Sequence, residues 1–293
     1  MKRLLLLLPV LLLGGPLAAY LIVVSGGTEP APSIPPVVIP DEGALPDAAA
    51  MERLAASDPV AFLKNCVRHY NHEVKGYTAV LAKHERIEGT LEPPELLRVW
   101  FREKPFSVLL RWMQGERRAK AALYVAGAND NEIVVLPAGL AGKLLLGKPI
   151  RLDLNSKTAR AAGRYPLDQF GIKNGTLRTL AGWIDAQKRG GLHVEFLGKH
   201  KTELVGGRLC YGFHRRYDRP EPNGADDLVI YIDAQTYLQV GSVIKDRDGK
   251  LIGEYYFRDI RLNPTFPADQ FEPSALSGTS AALWPDVSEP GFT

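Results

Sequence analysis

The sequence predicts a mainly β protein of the α+β class, with a curved antiparallel sheet or incomplete β-barrel of about ten strands and two or three helices across it. The clearest evidence lies in residues 226–262. There, Leu238, Val240 and Ile244 alternate with polar or small residues. Alternation with a period of two is typical of half-buried strands.

A hairpin signal supports the same fold class. Asp248-Gly249 separates two strand patterns, and Gly adopts the positive φ that a tight turn requires. The final strand contains three adjacent aromatic residues, Tyr255, Tyr256 and Phe257. We therefore expect three antiparallel strands at the end of the domain, with aromatic side chains on both faces of the last one.

Two helices are predicted from their ends. Asp58 followed by Pro59 is a capping carboxylate with Pro at the first helical position. A second helix is expected to begin at a Thr176 cap and to end at Gly190-Gly191. The apolar stripes expected to be buried are Leu63, Cys66, Val67, Tyr70 and Val74 on the first helix, and Leu177, Leu180, Ala181 and Ile184 on the second.

The remaining strands follow from alternating segments between and after the helices. They are YTAVLAKHERI from Tyr77, LLRVWFRE from Leu96, PFSVLLRWM from Pro105, AALYVAG, EIVVLP, HVEFLG and RLCYGFHRRY. Asn129-Asp130-Asn131 is expected to be a turn between two of them. With the last three strands the total is ten, and a curved sheet with a helix across its mouth can enclose a cavity.

The first 24 residues are predicted to be a signal anchor or a cleaved signal peptide. Lys2 and Arg3 precede 21 uncharged residues, Leu4 to Val24, and about 20 apolar residues can span a bilayer. The positive end should stay in the cytoplasm, so the domain is expected to be exported. If the segment is retained, it would anchor the protein in the inner membrane with the folded domain in the periplasm. If the segment is cleaved, the domain would be soluble in the periplasm.

The rest of the chain is predicted to have three parts. Residues 25–57 are a linker rich in Pro and Ala, in which Ala48 to Ala56 add a short helix. Residues 58–273 are the folded domain, and residues 274–293 are a disordered tail rich in small residues. An extended polyproline linker rises about 3.1 Å per residue, so the linker would let the domain stand well clear of the bilayer.

Composition and motifs argue against several functions. The formal charge is only +3, and no Lys/Arg run exceeds two residues, so nucleic-acid binding is not expected. The sequence has no G-x-S-x-G elbow and no phosphate-binding glycine loop. We therefore predict a protein without enzymatic activity and without a cofactor, an uncharacterised hydrolase being the alternative.

No metal site is predicted. His69 and His72 lie three residues apart beside Glu73, and residues three apart share a helical face. The face is opposite the apolar stripe, so we interpret these side chains as solvated polar residues. The oxygen-rich segment 127–131 has too few carboxylates for calcium and is expected to be a turn.

Several motifs carry a resemblance to known proteins. The order of an acidic strand, a D-G hairpin, an aromatic strand ending in I-R-L-N and the closing F-P-x-x-x-F-x-P resembles the outer-membrane lipoprotein carrier (LolA-like) fold. The elements E-K-P-F-S-V, Y-V-A-G-x-N-D-N and G-R-Y-P-L-D-x-F-G-I are similar to the bacterial family domain of unknown function 1571. The resemblance spans about residues 58–273, and residues 140–173 are an insertion relative to the shorter, freely diffusing carriers.

The resemblance implies a function. It implies a binding protein that holds a lipid, a lipoprotein acyl chain or another apolar ligand in the concave face of the sheet. The alternative is an envelope sensor or scaffold of the same fold that binds a protein partner. An open apolar cavity would favour the first function, and a filled interior would favour the second.

Six aromatic residues are the candidate ligand-binding walls, because apolar ligands need desolvated aromatic and aliphatic surfaces. Ordinary packing in the core is the alternative for each of them. The six are Trp100, Phe106, Trp112, Tyr124, Tyr255 and Phe257.

Cys66 and Cys210 are the two cysteines of the chain. An exported domain meets an oxidising environment, so a disulfide between them is one hypothesis. Two buried free thiols are the other.

Overall fold

The structure is a computed structural model, and it describes residues 37–116, 118–221 and 224–277. The predicted signal segment (1–24) and most of the predicted tail lie outside the described residues. In the described part of the chain, no helix is both long and apolar enough to cross a bilayer. The five helices described are α1 (Ala48–Ser57), α2 (Pro59–Glu73), α3 (Gly139–Leu144), α4 (Lys157–Arg160) and α5 (Ile172–Lys188).

The described strands form one antiparallel, curved sheet, which confirms the predicted fold class. In chain order they are β1 (Gly76–Ile87), β2 (Thr90–Leu91), β3 (Glu95–Arg102), β4 (Ser107–Gln114), β5 (Ala119–Val125), β6 (Ile133–Pro137), β7 (Ile150–Leu152), β8 (Leu192–Thr202), β9 (Arg208–Tyr217), β10 (Asp227–Asp233), β11 (Gln239–Lys245) and β12 (Leu251–Leu262). Twelve strands replace the expected ten, because β2 and β7 are too short to leave a periodic pattern.

The strand order shows that the first and the last strand of the chain are neighbours in the sheet. It runs β7-β6-β5-β4-β3-β1-β12-β11-β10-β9-β8, and β2 pairs only with β1. The first strand therefore lies beside the last one, and their register pairs Leu81 with Phe257 and Lys83 with Tyr255. The expected hairpin joins β11 to β12, with Gly249 at φ +75°.

The caps of the first predicted helix are confirmed. Asp58 Oδ1 accepts a hydrogen bond from the Ala61 amide at 2.9 Å, and Pro59 is the first helical residue. The preceding helix α1 lies within residues that we assigned to the linker. Its Met51 and Ala55 are fully buried, and Val37 and Ile39 pack against the same cluster, so part of the stretch that we assigned to the linker packs against the sheet and α2.

The predicted start of the second long helix was wrong. α5 begins at Ile172, with Gly171 as its cap, and Thr176 lies inside the helix. The Thr176 hydroxyl donates to the Ile172 carbonyl at 3.0 Å, which is the bond a helical Thr makes to the preceding turn. The stop is confirmed, since Gly190 has φ +74° just after the last helical residue.

The two long helices pack on one face of the sheet, here called the helix-covered face. Phe62 of α2 and Trp183 of α5 share a cluster with Phe213 and Ile230 of the sheet. In β1 the side chains from Tyr77 through Leu81 to Glu85 alternate onto this face, and the Tyr77 hydroxyl accepts from the Ile172 amide at 3.2 Å.

The opposite face is covered by the chain after β12. Phe271, Ala275 and Leu276 are buried against Trp100 and Leu123. The short 3-10 helix Pro273–Leu276 belongs to this cover. Ordered packing therefore continues past residue 273, where we placed the end of the domain.

The disulfide hypothesis is not supported, since Cys66 and Cys210 are free and buried. The physical reason is their location: Cys66 lies in the α2 cluster with Phe62, whereas Cys210 belongs to the cluster around Leu238 and Val240. Burial raises the pKa of the Cys66 thiol and raises that of Cys210 to about 12.

Candidate functional site

An aromatic cluster lies on the helix-covered face near the β3–β4 turn. Phe101 is at its centre, stacked on Tyr77 with ring centroids 4.8 Å apart. Phe106 meets Phe101 edge-on at 5.3 Å, and Phe170 lies 6.4 Å from it. Such ring pairs add about 0.5–1.5 kcal/mol each beyond the area that they bury, so this cluster is a rigid part of the core.

A cavity of about 260 Å³ opens beside these rings, between the β3–β4 turn and the start of α5. We call it the aromatic pocket. Its lining residues are Phe101, Glu103, Phe106, Asp168, Phe170, Gly171, Lys173 and Asn174. Pockets for drug-sized ligands measure about 300–1,000 Å³, so this one has room for a small ligand or for one end of a longer ligand.

Gly171 keeps the floor of the aromatic pocket open. It has φ +113°, a region that favours glycine. A Cβ atom at this position would lie 3.1 Å from Phe101 Cε2 and 3.3 Å from the Tyr77 hydroxyl. Any side chain here would therefore press on the stacked rings.

An ion pair marks the rim of the aromatic pocket. Lys173 Nζ lies 2.7 Å from Glu103 Oε2, and the Tyr70 hydroxyl donates to Glu103 Oε1 at 2.7 Å. Burial, with the Glu103 carboxylate beside it, raises the pKa of Tyr70. These contacts join α2, the β3–β4 turn and α5 around a pocket with an aromatic floor and a charged edge.

A buried charged cluster lies farther along the same face, and we call it the Lys83 cluster. Lys83 Nζ lies 2.7 Å from Glu85 Oε2 and 2.7 Å from Glu95 Oε2. The Tyr255 hydroxyl donates to Glu85 at 2.6 Å, and Trp112 Nε1 donates to Glu95 at 2.8 Å. Each carboxylate thus has the cation and a neutral donor as partners.

The electrostatics of the Lys83 cluster follow from burial and pairing. Burial by itself lowers the pKa of Lys83, but the charges of Glu85 and Glu95 more than offset it and raise that pKa overall. Burial likewise raises the pKa of Glu85, and the Lys83 cation and the Tyr255 hydroxyl lower it by more. Both groups are therefore held in their charged forms.

The segment between α4 and α5 lies over the Lys83 cluster. A Cβ atom at Gly163 would lie 3.8 Å from Lys83 Nζ. The Tyr165 ring lies 6.2 Å from the Tyr255 ring, and the Arg178 guanidinium lies 4.0 Å above Tyr165. Tyr165 and the Lys83 cluster therefore fill the middle of the helix-covered face, and the aromatic pocket lies beside Phe101, farther along β1 and β3.

The six predicted wall residues are placed in three locations. Phe106 lines the aromatic pocket, and Tyr124 and Phe257 pack beside it at 6.1 Å from Phe106 and 6.4 Å from Phe170. Trp112 and Tyr255 belong to the Lys83 cluster. Trp100 lies on the opposite face under Phe271, away from both sites.

The sequence analysis missed Phe101, Phe170 and the Lys83 cluster. A signal for the rings was present: Phe101 shares the parity of Leu97 and Val99 in β3, and Phe170 belongs to the G-R-Y-P-L-D-x-F-G-I element. The ion cluster had no signal of this kind, because Glu95 reaches Lys83 only through the pairing of β1 with β3.

The histidines on α2 have separate partners. His69 Nδ1 lies 3.5 Å from Glu73 Oε1, and His72 Nε2 lies 2.8 Å from Asp41 Oδ1. His69 is not a solvated residue as we expected, because it is buried against the Tyr237 ring at 4.6 Å. Among the residues that the structure describes, no group of three or more His, Cys, Asp or Glu side chains could hold a metal ion.

A second recess, of about 340 Å³, lies at the β8 edge of the sheet. Its lining residues are Leu192, His193, Val194, Glu195, His214 and Arg216. His193 pairs with Asp218 at 3.0 Å, and His214 pairs with Asp227 at 2.6 Å. This recess is open and mostly polar, so it lacks the apolar floor of the aromatic pocket.

Comparison with known families agrees with the predicted family. The model described as "Protein of unknown function (DUF1571)" matches residues 74–277, more than two thirds of the chain. The chain belongs to this family. The residues matched by the family model include the aromatic pocket and the Lys83 cluster. A comparison with curated proteins found no similar protein.

Several solved structures share a similar backbone arrangement with this protein, but their sequence identity to it is low. The Pseudomonas aeruginosa MucA/MucB complex matches at 13% identity and a TM-score of 0.44, over 74% of this chain and 62% of that one. Mycobacterium tuberculosis lipoprotein LppX matches at 10% and 0.40, over 72% and 99%. A LolA superfamily protein from Nitrosomonas europaea matches at 11% and 0.32, over 71% and 96%.

The chain spans less than two thirds of the length of MucB. Similarity at this level gives no information about the ligand or the partner of this protein.

Proposed function

We propose that this domain is an exported, non-enzymatic binding module that holds the apolar end of a lipid or lipoprotein acyl chain in the aromatic pocket. The observation that carries the proposal is the pocket itself. Phe101, Phe106 and Phe170 give it an apolar floor, and the Glu103–Lys173 pair lies at its rim. Binding sites for apolar ligands combine such a floor with a few polar groups that fix orientation.

The size of the pocket limits the ligand. Because Tyr165 and the Lys83 cluster fill the middle of the face, a ligand in the pocket can bury only one end. The rest would extend past the rim, where Lys173 can meet a negatively charged group. A single chain of modest length fits better than a bulky, multi-chain lipid.

The proposal includes a membrane tether. The uncharged run from Leu4 to Val24 has the length of a membrane-spanning segment, and the Pro-rich stretch after it suits a spacer. We expect the full chain to remain with membranes after a carbonate wash. A mature N-terminus at Gly27 would instead mean a cleaved signal and a soluble periplasmic protein.

We propose no catalytic role. The hydrolase alternative needs an acid and a base with access to a substrate. In the Lys83 cluster both carboxylates are occupied by Lys83, and Tyr255 and Trp112 complete their hydrogen bonds. These contacts support a structural role for the charges.

A second candidate is a module that binds a protein partner. The filled middle of the helix-covered face favours it, since a filled interior leaves little room for a carrier's cargo. Trp112 and Tyr255, predicted as cavity walls, direct their polar atoms to buried carboxylates. The two functions differ in whether the isolated protein binds an apolar probe.

The experiment is to close the pocket without removing a core residue. Asn174 lines the pocket on α5, so Asn174→Trp should place an indole across the mouth. Gln187→Trp is the matched control, because Gln187 is exposed on the same helix. Each full-length variant is titrated with a fluorescent fatty acid in detergent below its micelle concentration.

We expect Asn174→Trp to weaken probe binding at least about tenfold, a change of about 1.4 kcal/mol, while Gln187→Trp binds as the wild type does. Equal binding by all three proteins would mean that the probe sits elsewhere. Absence of binding by the wild type at micromolar probe would favour the partner-binding candidate.

A further inference from the structure

An exposed apolar loop projects from the sheet beside the edge strand β7. It comprises residues 139–149, that is, the short helix α3 (Gly139–Leu144) and the turn after it, and we call it the leucine loop. The exposed fractions of Leu140, Leu144 and Leu146 are 73%, 70% and 83%. In the described part of the chain, eight large apolar side chains are exposed, and four of them lie between residues 140 and 146. Single exposed leucines are common, whereas a contiguous group marks an interaction surface.

The backbone of the leucine loop holds the leucines outward. Leu146 has φ +52° and Gly147 has φ +69°, so two consecutive residues occupy the left-handed region. A bulky residue rarely adopts this conformation, and it costs about 1–3 kcal/mol. The most exposed leucine of the leucine loop, Leu146, therefore occupies a backbone conformation that a bulky residue rarely adopts.

Positive charge surrounds the leucines. Residues 139–160 contain five Lys or Arg and one Asp, a net charge of +4, whereas the whole chain carries +3. Lys143 and Lys148 are exposed on either side of the three consecutive leucines 144–146. Arg151 is partly neutralised, since it pairs with Asp130 at 2.6 Å.

We propose that the leucine loop is a membrane contact that inserts its leucines into the surface of an anionic phospholipid bilayer. Apolar side chains next to Lys are typical of elements that lie in the bilayer interface. The long Lys side chains can reach the head groups while the leucines enter the acyl region, and basic residues near an anionic surface add attraction.

This contact goes beyond the proposed pocket function. It would hold the domain against the bilayer by a second point besides the N-terminal segment. The Lys-flanked leucines favour lipid over a protein partner or a second copy of the chain, because Lys143 directly before them and Lys148 two residues after them carry the charge that anionic lipid attracts.

The test uses the full chain reconstituted into vesicles, with a fluorophore on one introduced thiol. Leu144→Cys and Leu146→Cys place it on the loop, and Leu209→Cys places it at another exposed leucine, on β9. Cys66 and Cys210 are buried, so native protein should be labelled at the introduced thiol. The vesicles contain phosphatidylethanolamine and phosphatidylglycerol, with or without nitroxide-labelled lipid.

We expect nitroxide lipid to quench the labels at 144 and 146 strongly and the label at 209 weakly. Lys143→Glu and Lys148→Glu should each lower the ratio of membrane-bound to free leucine loop by at least about fivefold, because loss of one Lys removes about 1 kcal/mol of attraction near an anionic surface and the new Glu adds repulsion.

Equal quenching at all three positions would overturn the proposal. A blue shift of the loop labels without lipid that grows with protein concentration would also overturn it, and would identify a second copy as the occupant. Quenching that is the same in phosphatidylcholine and is insensitive to both charge reversals would refute the anionic preference.

Discussion

Removing the cation of the Lys83 cluster gives the sharpest test of the structure. Lys83→Met keeps most of the side-chain volume and removes the charge between Glu85 and Glu95. The Lys83, Glu85 and Glu95 side chains are only 12%, 5% and 12% exposed. Both carboxylates would be left buried without their Lys83 partner, and Arg164 would remain as a cation near Glu85.

The expected cost follows from these contacts. Breaking a buried ion pair costs about 3–5 kcal/mol, since the remaining charge is uncompensated. The donors Tyr255 and Trp112 stay in place, so we expect the lower end, about 3 kcal/mol. For a domain of this size that corresponds to a fall in Tm of about 6–12 °C.

The sign of the pH dependence distinguishes this mechanism from a packing defect. In the wild type the pKa of Glu85 is lowered, so its contribution is present above about pH 4.3, the usual pKa of Glu, and is lost as pH falls through the folded pKa. Without Lys83, burial is the dominant influence on Glu85 and raises the pKa of its carboxyl. The folded variant then binds more protons than the unfolded chain, so its stability rises as pH falls.

The assay is urea unfolding followed by tryptophan fluorescence at about pH 7.5 and about pH 5. The deficit of Lys83→Met should be largest at the higher pH, and adding Glu85→Gln and Glu95→Gln should restore part of it. Lys250→Met is the control, because its ion pair with Asp248 is exposed and should contribute little. If Lys83→Met unfolds within about 1 kcal/mol of the control at both pH values, the cluster is not buried as described.

Two further predictions concern the pocket and the thiols. Gly171→Ala should destabilise the domain by about 1–3 kcal/mol and weaken fatty-acid binding, because its Cβ would press on Phe101 at a φ of +113°; unchanged urea unfolding would contradict the described pocket floor. Cys66 and Cys210 should both react with a thiol reagent only after unfolding, because burial raises the pKa of each thiol. Rapid reaction in the native protein would place a thiol at the surface. Failure of the unfolded protein to react in the absence of reductant would mean that the two cysteines form a disulfide.

The predicted strands and turns were correct where the information is local. Alternation in β11 and the Asp248-Gly249 turn depend on residues within one hairpin, and the Asp58 cap acts within one helical turn. The predicted start of α5 was wrong because it was inferred from a local cap signal, whereas the actual start depends on a contact with a distant strand. Thr176 resembles a cap, but the chain enters the helix at Gly171, where a φ of +113° and the nearby Phe101 ring favour glycine.

The site was harder to predict because its parts are distant in sequence. Glu95 meets Lys83 across one strand pair, and Tyr255 meets it across another. Phe106, one of the six predicted wall residues, lines the aromatic pocket, and its contact with a ligand stays a prediction. The aromatic pattern could not separate Trp100 from the other five. Neighbours on a strand face opposite sides, and only the sheet register shows that Trp100 lies under Phe271.

The segment before α5 limits the size of the pocket. Gly163 and Tyr165 lie against the Lys83 cluster, and Arg178 of α5 holds Tyr165 from above. Burial lowers the pKa of Arg178, so the cation contributes to the cover at an electrostatic cost. A ligand longer than the aromatic pocket could enter the middle of the face only if this segment moved away from Tyr255. Loss of probe binding in Asn174→Trp together with normal binding in Lys83→Met would therefore place the ligand wholly in the pocket, with the cover closed.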